Sequence, residues 1–305
     1  MVQSPFPKEV NHMKEKMTQE QRLDYLVEGF KADSGEYKDL RTPGDSEGKR
    51  RLLRSLMNIR MPRELPDEVL AVQDEYLTER NAGRGIVSLA EIPTLAEQGS
   101  TVAHASQLSL WQGDITRLAV DAIVNAANSQ MLGCFVPMHT CIDNCIHTFA
   151  GVQLRSECDR QMKKLRAKYG RDYEQPTAVP MLTEGYNLPA KKVIHIVGPI
   201  VQDELTPELE KDLADCYRNT LDMCAESGLR SVAFCCIRGK KYIPWAILFI
   251  CLMGISRNYL MMHYPTDVIA GMLIGIGAGF LSCLLCGMVF KKLDERKGII
   301  SGKGE

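Results

Sequence analysis

Apolar positions in residues 1–100 recur at the three- and four-residue spacing of amphipathic helices. Thr18 is a candidate helix cap, Ser46 precedes a second helix, and Pro66 lies where the first turn of a third helix tolerates proline. No cluster of histidines, cysteines or carboxylates accompanies these helices, so we predict a helical extension with a structural role. The predicted buried faces are Leu23, Leu26, Val27 and Phe30; Leu52, Leu53, Leu56 and Met57; and Val69, Leu70, Gln73, Tyr76 and Leu77.

Residues 101–237 alternate short apolar runs with amphipathic stretches. The runs QLSLW, AIVN, AVPML, VIHIVG and SVAFCCI predict strands. Residues 142–169 predict one long helix that ends at Gly170, and residues 206–228 predict another, with Pro207 near its start and Gly228 after its end. Strands that alternate with helices indicate an α/β domain with a mostly parallel sheet.

Residues 242–290 contain two uncharged apolar runs, of fourteen residues (242–255) and twenty-three residues (268–290). The second is long enough to cross a bilayer, and a buried core helix is the alternative. Basic residues flank both runs, as RGKK before the first and KKLDERK after the second. The sequence therefore predicts a transmembrane helical hairpin with both ends cytoplasmic, which places residues 1–237 in the cytosol.

The charge and cysteine content narrow the class of protein. The chain carries 37 Lys and Arg against 38 Asp and Glu, for a net charge of −1, so we expect no nucleic-acid partner. Residues 238–305 carry nine basic and four acidic residues, whereas residues 1–237 are net negative. The first residues contain no apolar stretch typical of a signal peptide, so the eleven cysteines are expected in a reducing compartment as core residues, nucleophiles or metal ligands.

The strongest chemical signal lies in residues 113–147, where small residues and asparagines directly follow the buried strand AIVN. That position suits a ligand site at the carboxyl end of a parallel sheet. Cys134, His139 and Cys141 follow within eight residues and can bind one zinc ion with an open fourth position, as in a catalytic site. Two buried cysteines beside a surface histidine are the alternative interpretation.

The motifs GDIT, DAIVNAANSQMLG and GCFVPMHTCIDNCIH resemble those of the zinc-dependent macrodomains of bacteria and fungi. GYNLPAKKVIHIVGPI resembles a later strand of that family, and SLMNIRMPRELPDEVLAVQDEYL resembles its N-terminal extension. The resemblance covers residues 15–237 and implies a three-layer α/β/α macrodomain over residues 101–237. It also implies binding of ADP-ribose and hydrolysis of ADP-ribose from modified protein side chains, chiefly acidic ones.

Site residues carry over from this resemblance position by position. Asp114 and Ile115 match the adenine-holding positions, and Asn125 and Asn128 match asparagines near the distal ribose. The first turn of the following helix, at Asp143 and Asn144, suits phosphate. The resemblance thus implies zinc ligands Cys134, His139 and Cys141, catalytic roles for these three with Asn128 and Asp143, and substrate contacts by Asp114, Ile115, Asn125, Asn128 and Asn144. A turn cap for Asp114 and a local backbone role for Asn125 are the alternatives.

The resemblance ends at Ile237. After a strand like SVAFCCI the family continues with a Ser/Thr-Gly-rich loop around the diphosphate, then a helix and a strand, but here RGKKYIPW follows. The macrodomain is therefore predicted to lack one wall of its pocket. The bound zinc could polarise a carbonyl, hold the modified carboxylate or activate water, and the sequence leaves these three roles open.

The sequence S-R-x5-H-x3-D, formed by Ser256, Arg257, His263 and Asp267, resembles the third motif of the type 2 phosphatidic acid phosphatases. In that family the histidine attacks phosphate, the aspartate orients it and the arginine binds phosphate oxygens. Residues 1–255 contain neither of the two upstream motifs that the family needs. We therefore expect residues 238–305 to be an inactive fragment of that fold.

Together, the macrodomain resemblance and the apolar tail imply a membrane-tethered zinc hydrolase that removes ADP-ribose from proteins. The alternatives are an ADP-ribose-binding module without turnover, a membrane phosphatase remnant, or a non-functional gene chimera joined at Ile237–Arg238. Without the tail at about residues 242–290, the chain is expected to be cytoplasmic.

Overall fold

The computed structural model describes residues 17–200 and 206–235. The N-terminal extension consists of three helices, α1 (Gln19–Ser34), α2 (Ser46–Ile59) and α3 (Asp67–Gly83). Thr18 caps α1 as predicted, but Asp45, not Ser46, caps α2, because the Asp45 Oδ1 atom accepts the N–H of Gly48 at 2.8 Å. The predicted faces form one core, which Val152 of the α/β part also joins.

The α/β part contains a four-stranded sheet of β3 (Ala122–Ala127), β4 (Met181–Glu184), β5 (Lys192–Val197) and β6 (Val232–Ala233). The strand order is β4-β5-β3-β6, with β3 parallel to both neighbours and β4 antiparallel to β5. Two short strands, β1 (Val87–Ser88) and β2 (Leu118–Ala119), pair separately. The prediction of a mostly parallel sheet is therefore confirmed.

Helices cover both faces of the larger sheet. On one face, α4 (Ile142–Ala150) and α5 (Val152–Tyr169) pack against residues such as Ile123 and Val193. On the other face, Cys216 and Cys224 of α6 (Pro207–Glu226) pack against the alternate strand residues. This alternation follows from the two-residue side-chain period of a strand and produces the predicted three layers.

The single helix predicted over residues 142–169 is wrong, because the chain breaks at Gly151 between α4 and α5. Gly151 has φ +99° and ψ 173°, a conformation that interrupts the helix and is strained for residues with a side chain. A Cβ at this position would also lie 2.8 Å from Nε2 of the buried Gln73. The predicted C-terminal end of this helix is correct, since α5 stops before Gly170.

The strand predicted at QLSLW is also wrong. Only Ser109 makes a bridge, to Thr94, and Ala105–Gln107 form a 3-10 turn. Leu108 and Leu110 remain nearly half exposed. Apart from that single bridge, residues 107–111 pair with no strand among the described residues. Leu108 and Leu110 therefore do not pack into a core.

The predicted hairpin at residues 242–290 and the motif from Ser256 to Asp267 lie outside the described residues, and so does the join after Ile237. Within residues 17–200 and 206–235, none of the helices is both long and apolar enough to span a bilayer.

Candidate active site

The three candidate metal ligands converge in the loop between β3 and α4. The Cys134 Sγ and His139 Nδ1 atoms are 3.6 Å apart, and the ligand atoms of Cys134, His139 and Cys141 all lie within 4.8 Å of one another. Cys141 is buried at the N-cap of α4, whereas Cys134 and His139 are partly exposed. The loop thus presents two thiols and an imidazole toward one point near the surface.

This donor set fits a zinc ion. Zinc–sulfur and zinc–nitrogen bond lengths place two ligands of a tetrahedral site about 3.5 Å apart. The separation between Cys134 and His139 already matches that spacing. Burial raises the pKa of the Cys141 thiol to about 12, with a further contribution from nearby Cys134, so a cation is needed to hold the Cys141 sulfur as a thiolate at neutral pH.

Close packing fixes the start of the metal-ligand loop. Gly133 has φ +80°, and a Cβ there would lie 2.7 Å from the ring of the buried His147. Met138, next to His139, also has a positive φ, of 59°. The loop therefore contains backbone conformations that its surroundings must hold in place.

Three side chains outside the loop hold its backbone. Arg54 of α2 donates from Nη2 to the carbonyl of His139 at 2.7 Å. Asn58, at the end of the same helix, accepts the N–H of Met138 at 3.1 Å. Arg155 of α5 donates to the carbonyls of Leu132 and Cys134.

Arg155 also connects the loop to the helical extension. Its Nη1 atom donates to the carbonyls of Met57, Asn58 and Arg60 at 2.7 to 3.1 Å, and its guanidinium is almost fully buried. Burial lowers the pKa of Arg155 to about 10. Arg54, Asn58 and Arg155 are absent from the sequence predictions, because neither a residue type nor a spacing links them to a loop that lies 21 to 85 residues away along the chain.

The first turn of α4 supports the same loop from inside. The buried side chain of Asn144 donates to the carbonyl of Val136 at 2.9 Å and accepts from Arg54 at 2.8 Å. Its backbone N–H is directed to the Cys141 sulfur at 3.3 Å. Asn144 thus shapes the loop, and its predicted substrate contact stays a prediction.

Asn125 and Asp143 form a buried pair beneath the site. The Asn125 Nδ2 atom donates to Asp143 Oδ1 at 2.7 Å and lies 3.0 Å from His195 Nδ1. Asn125 is completely buried and Asp143 is 3% exposed, so neither side chain is open to solvent in this conformation. The predicted ribose contact of Asn125 and catalytic role of Asp143 stay predictions.

A second group of possible metal ligands, His147, Cys158 and His195, is buried beside this pair. His195 already uses Nε2 with the Thr183 hydroxyl at 3.0 Å and Nδ1 with Asn125. Burial lowers the pKa of His195 to about 3 and that of His147 well below its usual value, so both rings are neutral. His147 therefore makes no ion pair with Asp143, although the two lie 3.5 Å apart.

Among the predicted substrate residues, Asp114 and Asn128 are exposed to solvent. The Asp114 carboxylate caps a 3-10 turn (Ile115–Arg117) by accepting the N–H of Thr116. It also forms an ion pair with Arg84 at 2.5 Å, and 43% of its side chain remains exposed. Ile115 packs partly buried against the core. Asn128, just after β3, is exposed and donates to the carbonyl of Gly133 at 3.2 Å. The turn-cap alternative for Asp114 is thus correct, and it leaves the carboxylate accessible.

Comparisons with known proteins identify the family of the chain. The Macro domain family model matches residues 124–246, and the PAP2 superfamily model matches residues 226–290. The chain is also similar to solved macrodomains, such as that of Trypanosoma brucei in complex with ADP-ribose, at 27% identity over 69% of this chain and 84% of that one, with a TM-score of 0.42.

Curated relatives are more similar in sequence. A protein-ADP-ribose hydrolase of Treponema medium is 44% identical over 221 residues, which cover 72% of this chain and 80% of the relative. A protein-ADP-ribose hydrolase of Staphylococcus aureus strain MRSA252 is 38% identical over 217 residues, which cover 71% of this chain and 76% of the relative. The chain therefore belongs to the protein-ADP-ribose hydrolases of the macrodomain family and is a hydrolase.

Proposed function

We propose that this chain is a zinc-dependent hydrolase that releases ADP-ribose from ADP-ribosylated acidic side chains of proteins. The zinc proposal rests on the convergence of Cys134, His139 and Cys141 at one point of the metal-ligand loop between β3 and α4. The substrate proposal rests on the 44% identity to a protein-ADP-ribose hydrolase. For an acidic acceptor, the reaction adds water across the ester between the carboxylate and the ribose and yields free ADP-ribose.

The exposed side chains suggest how the chain holds this substrate. We expect the Asp114 carboxylate, which keeps free lone pairs beside Arg84, to accept from the adenine amino group. The first-turn amides of α4 favour the negative charge of the diphosphate. We expect Asn128, which is exposed just after β3, to contact the distal ribose.

The site loop positions the reacting bond. Cys134, His139 and Cys141 would hold the zinc ion, which supplies Lewis-acid polarisation of the ester or a lower pKa for water. Arg54, Asn58 and Arg155 keep the loop carbonyls and amides in place, so that the three ligand atoms stay together. Asp143 and Asn125 hydrogen-bond to each other next to the start of α4 and are shielded from solvent.

The test is release of ADP-ribose from a peptide that carries ADP-ribosyl-glutamate, catalysed by the detergent-solubilised full chain. We expect turnover with zinc, loss of turnover with a chelator, loss in Cys134→Ala and retention in Cys145→Ala. Turnover that persists in chelator would overturn the zinc proposal. Equal turnover of an ADP-ribosyl-arginine peptide would overturn the acidic-acceptor proposal, and binding of ADP-ribose without turnover would leave only a binding module.

We further propose that residues of about 242–290 attach the chain to a membrane, with the hydrolase on the cytoplasmic side. The support is the pair of uncharged apolar runs with basic flanks, and this stretch also matches the PAP2 superfamily model. The full chain is expected to float with lipid vesicles in a density gradient. Recovery of the full chain in the lipid-free fraction would overturn the attachment.

A further inference from the structure

A second cleft lies between the helical extension and α4. Residues of α2, α3 and α4 line it together with Met138 of the metal-ligand loop, and they include none of the predicted zinc or substrate residues. The cleft therefore adjoins the metal-ligand loop but contains none of its candidate zinc ligands.

The lining of this cleft is strongly basic. It contains Arg50, Arg51, Arg54 and Arg80 but only one carboxylate, that of Glu47. Glu47 is already paired with Arg50 at 3.0 Å. The guanidinium groups of Arg51 and Arg80 have neither a hydrogen bond nor an ion pair within residues 17–200 and 206–235, so uncompensated positive charge faces the cleft.

Arg54 provides a second, independent observation. Its Nη2 atom is occupied by His139 and Asn144, but its Nε atom is buried without a hydrogen-bond partner among the described residues. A buried donor without a partner is costly, and an acceptor that enters the cleft would remove that cost.

We propose that this cleft binds an oxyanion, either phosphate or carboxylate, held by Arg51, Arg54 and Arg80. Arginine forks match the paired oxygens of these groups and bind them with charge-assisted hydrogen bonds. The partly buried ring of Phe149 lies in the same lining and gives the site an apolar wall for the group that carries the oxyanion. Because Arg54 also holds the carbonyl of His139, an anion bound here contacts the side chain that positions the metal-ligand loop.

The test is calorimetric titration of pyrophosphate into the full chain in mild detergent at low ionic strength. We expect binding to wild type and a loss of at least about tenfold in affinity in the double variant Arg51→Gln/Arg80→Gln, because each removes a charge-assisted bond. Arg171→Gln, an exposed arginine outside the cleft, is the matched control and should bind like wild type.

The Cys134→Ala variant separates this cleft from the zinc site. It should bind pyrophosphate as wild type does, since none of the cleft residues is a zinc ligand. An unchanged affinity in Arg51→Gln/Arg80→Gln, or binding that disappears in Cys134→Ala alone, would overturn the proposal. The titration measures the affinity for pyrophosphate and needs no turnover, so it tests the cleft even if the hydrolase proposal is wrong.

Competition then identifies the source of the oxyanion. Displacement of pyrophosphate by a tetraglutamate peptide would assign the cleft to carboxylates of an acidic protein segment. Resistance to that peptide, with displacement by inorganic phosphate, would assign it to a phosphorylated ligand. Both results support an oxyanion site, and wild type that binds neither pyrophosphate nor the peptide contradicts it.

Discussion

The side chain of Asn58, at the end of α2, accepts the backbone N–H of Met138 at 3.1 Å, one residue before the zinc-ligand candidate His139. Met138 has a φ of 59°, which costs free energy for a residue with a side chain. Asn58 is buried and also donates to the Thr148 hydroxyl at 3.0 Å. The helical extension thus holds a strained turn of the site loop in place, in addition to covering the domain.

Replacement of Asn58 by alanine is therefore expected to weaken zinc binding. The loop loses the acceptor that holds Met138, and loss of such supporting contacts typically lowers metal affinity about tenfold or more. Competition between the purified full chain and a chromogenic chelator measures this affinity. Thr148→Val is the matched control, because it removes the bond between Thr148 and Asn58 but leaves Met138 held. Equal zinc affinity in Asn58→Ala and wild type would exclude a positioning role for Asn58.

The metal content of cysteine variants tests the ligand set directly. We expect about one zinc per wild-type chain, none in Cys134→Ala and about one in Cys145→Ala, because Cys145 is close by but does not belong to the converging triad. Plasma emission spectrometry after dialysis gives these ratios. Zinc that is lost equally from both variants would mean that the cysteines act through packing and not through coordination.

Two glycine-to-alanine changes should have opposite effects on stability. Gly151→Ala is expected to lower the free energy of unfolding by about 2 kcal/mol, because φ is +99° and the new Cβ meets Gln153 and Gln73. Gly83→Ala, in the last turn of α3 with open space around it, should raise that free energy by about 0.5 kcal/mol or more. Urea unfolding measures both, and a stable Gly151→Ala would show that the α4–α5 break tolerates a side chain.

The buried histidines predict how stability depends on pH. Burial lowers the pKa of His195 to about 3 and that of His147 well below the usual value, whereas both titrate near 6.5 once unfolded. The unfolded chain therefore binds more protons below pH 6.5. The stabilisation is fully present above pH 6.5 and is lost as the pH falls toward 3, by up to about 1.4 kcal/mol per pH unit for each histidine.

Urea unfolding of the metal-free chain at pH 7.5 and 5.5, with chelator in both samples, checks this dependence. His195→Gln is expected to be less stable at both pH values, but the difference between its two stabilities should be about half that of wild type. A wild-type stability that does not change between these pH values would show that the two rings do not stay neutral in the folded protein.

The local features of the fold followed from the sequence. The spacing of Leu23, Leu26, Val27 and Phe30 predicted the buried face of α1, and Thr18 and Gly170 marked a helix start and a helix end correctly. Short-range sterics and side-chain periodicity decide these features, and both can be read from neighbouring residues. The order of Cys134, His139 and Cys141 likewise predicted a convergence that one short loop suffices to form.

Only the tertiary structure decided the remainder. The break at Gly151 depends on Gln73, and the exposure of Leu108 and Leu110 depends on which strands pair, so neither is contained in the local pattern. The supports of the site loop, Arg54, Asn58 and Arg155, belong to helices that precede or follow it by up to about 85 residues, and side-chain spacing carries no information over that distance. The sequence by itself thus determined the elements and the candidate ligands, whereas long-range packing determined which side chains hold them in place.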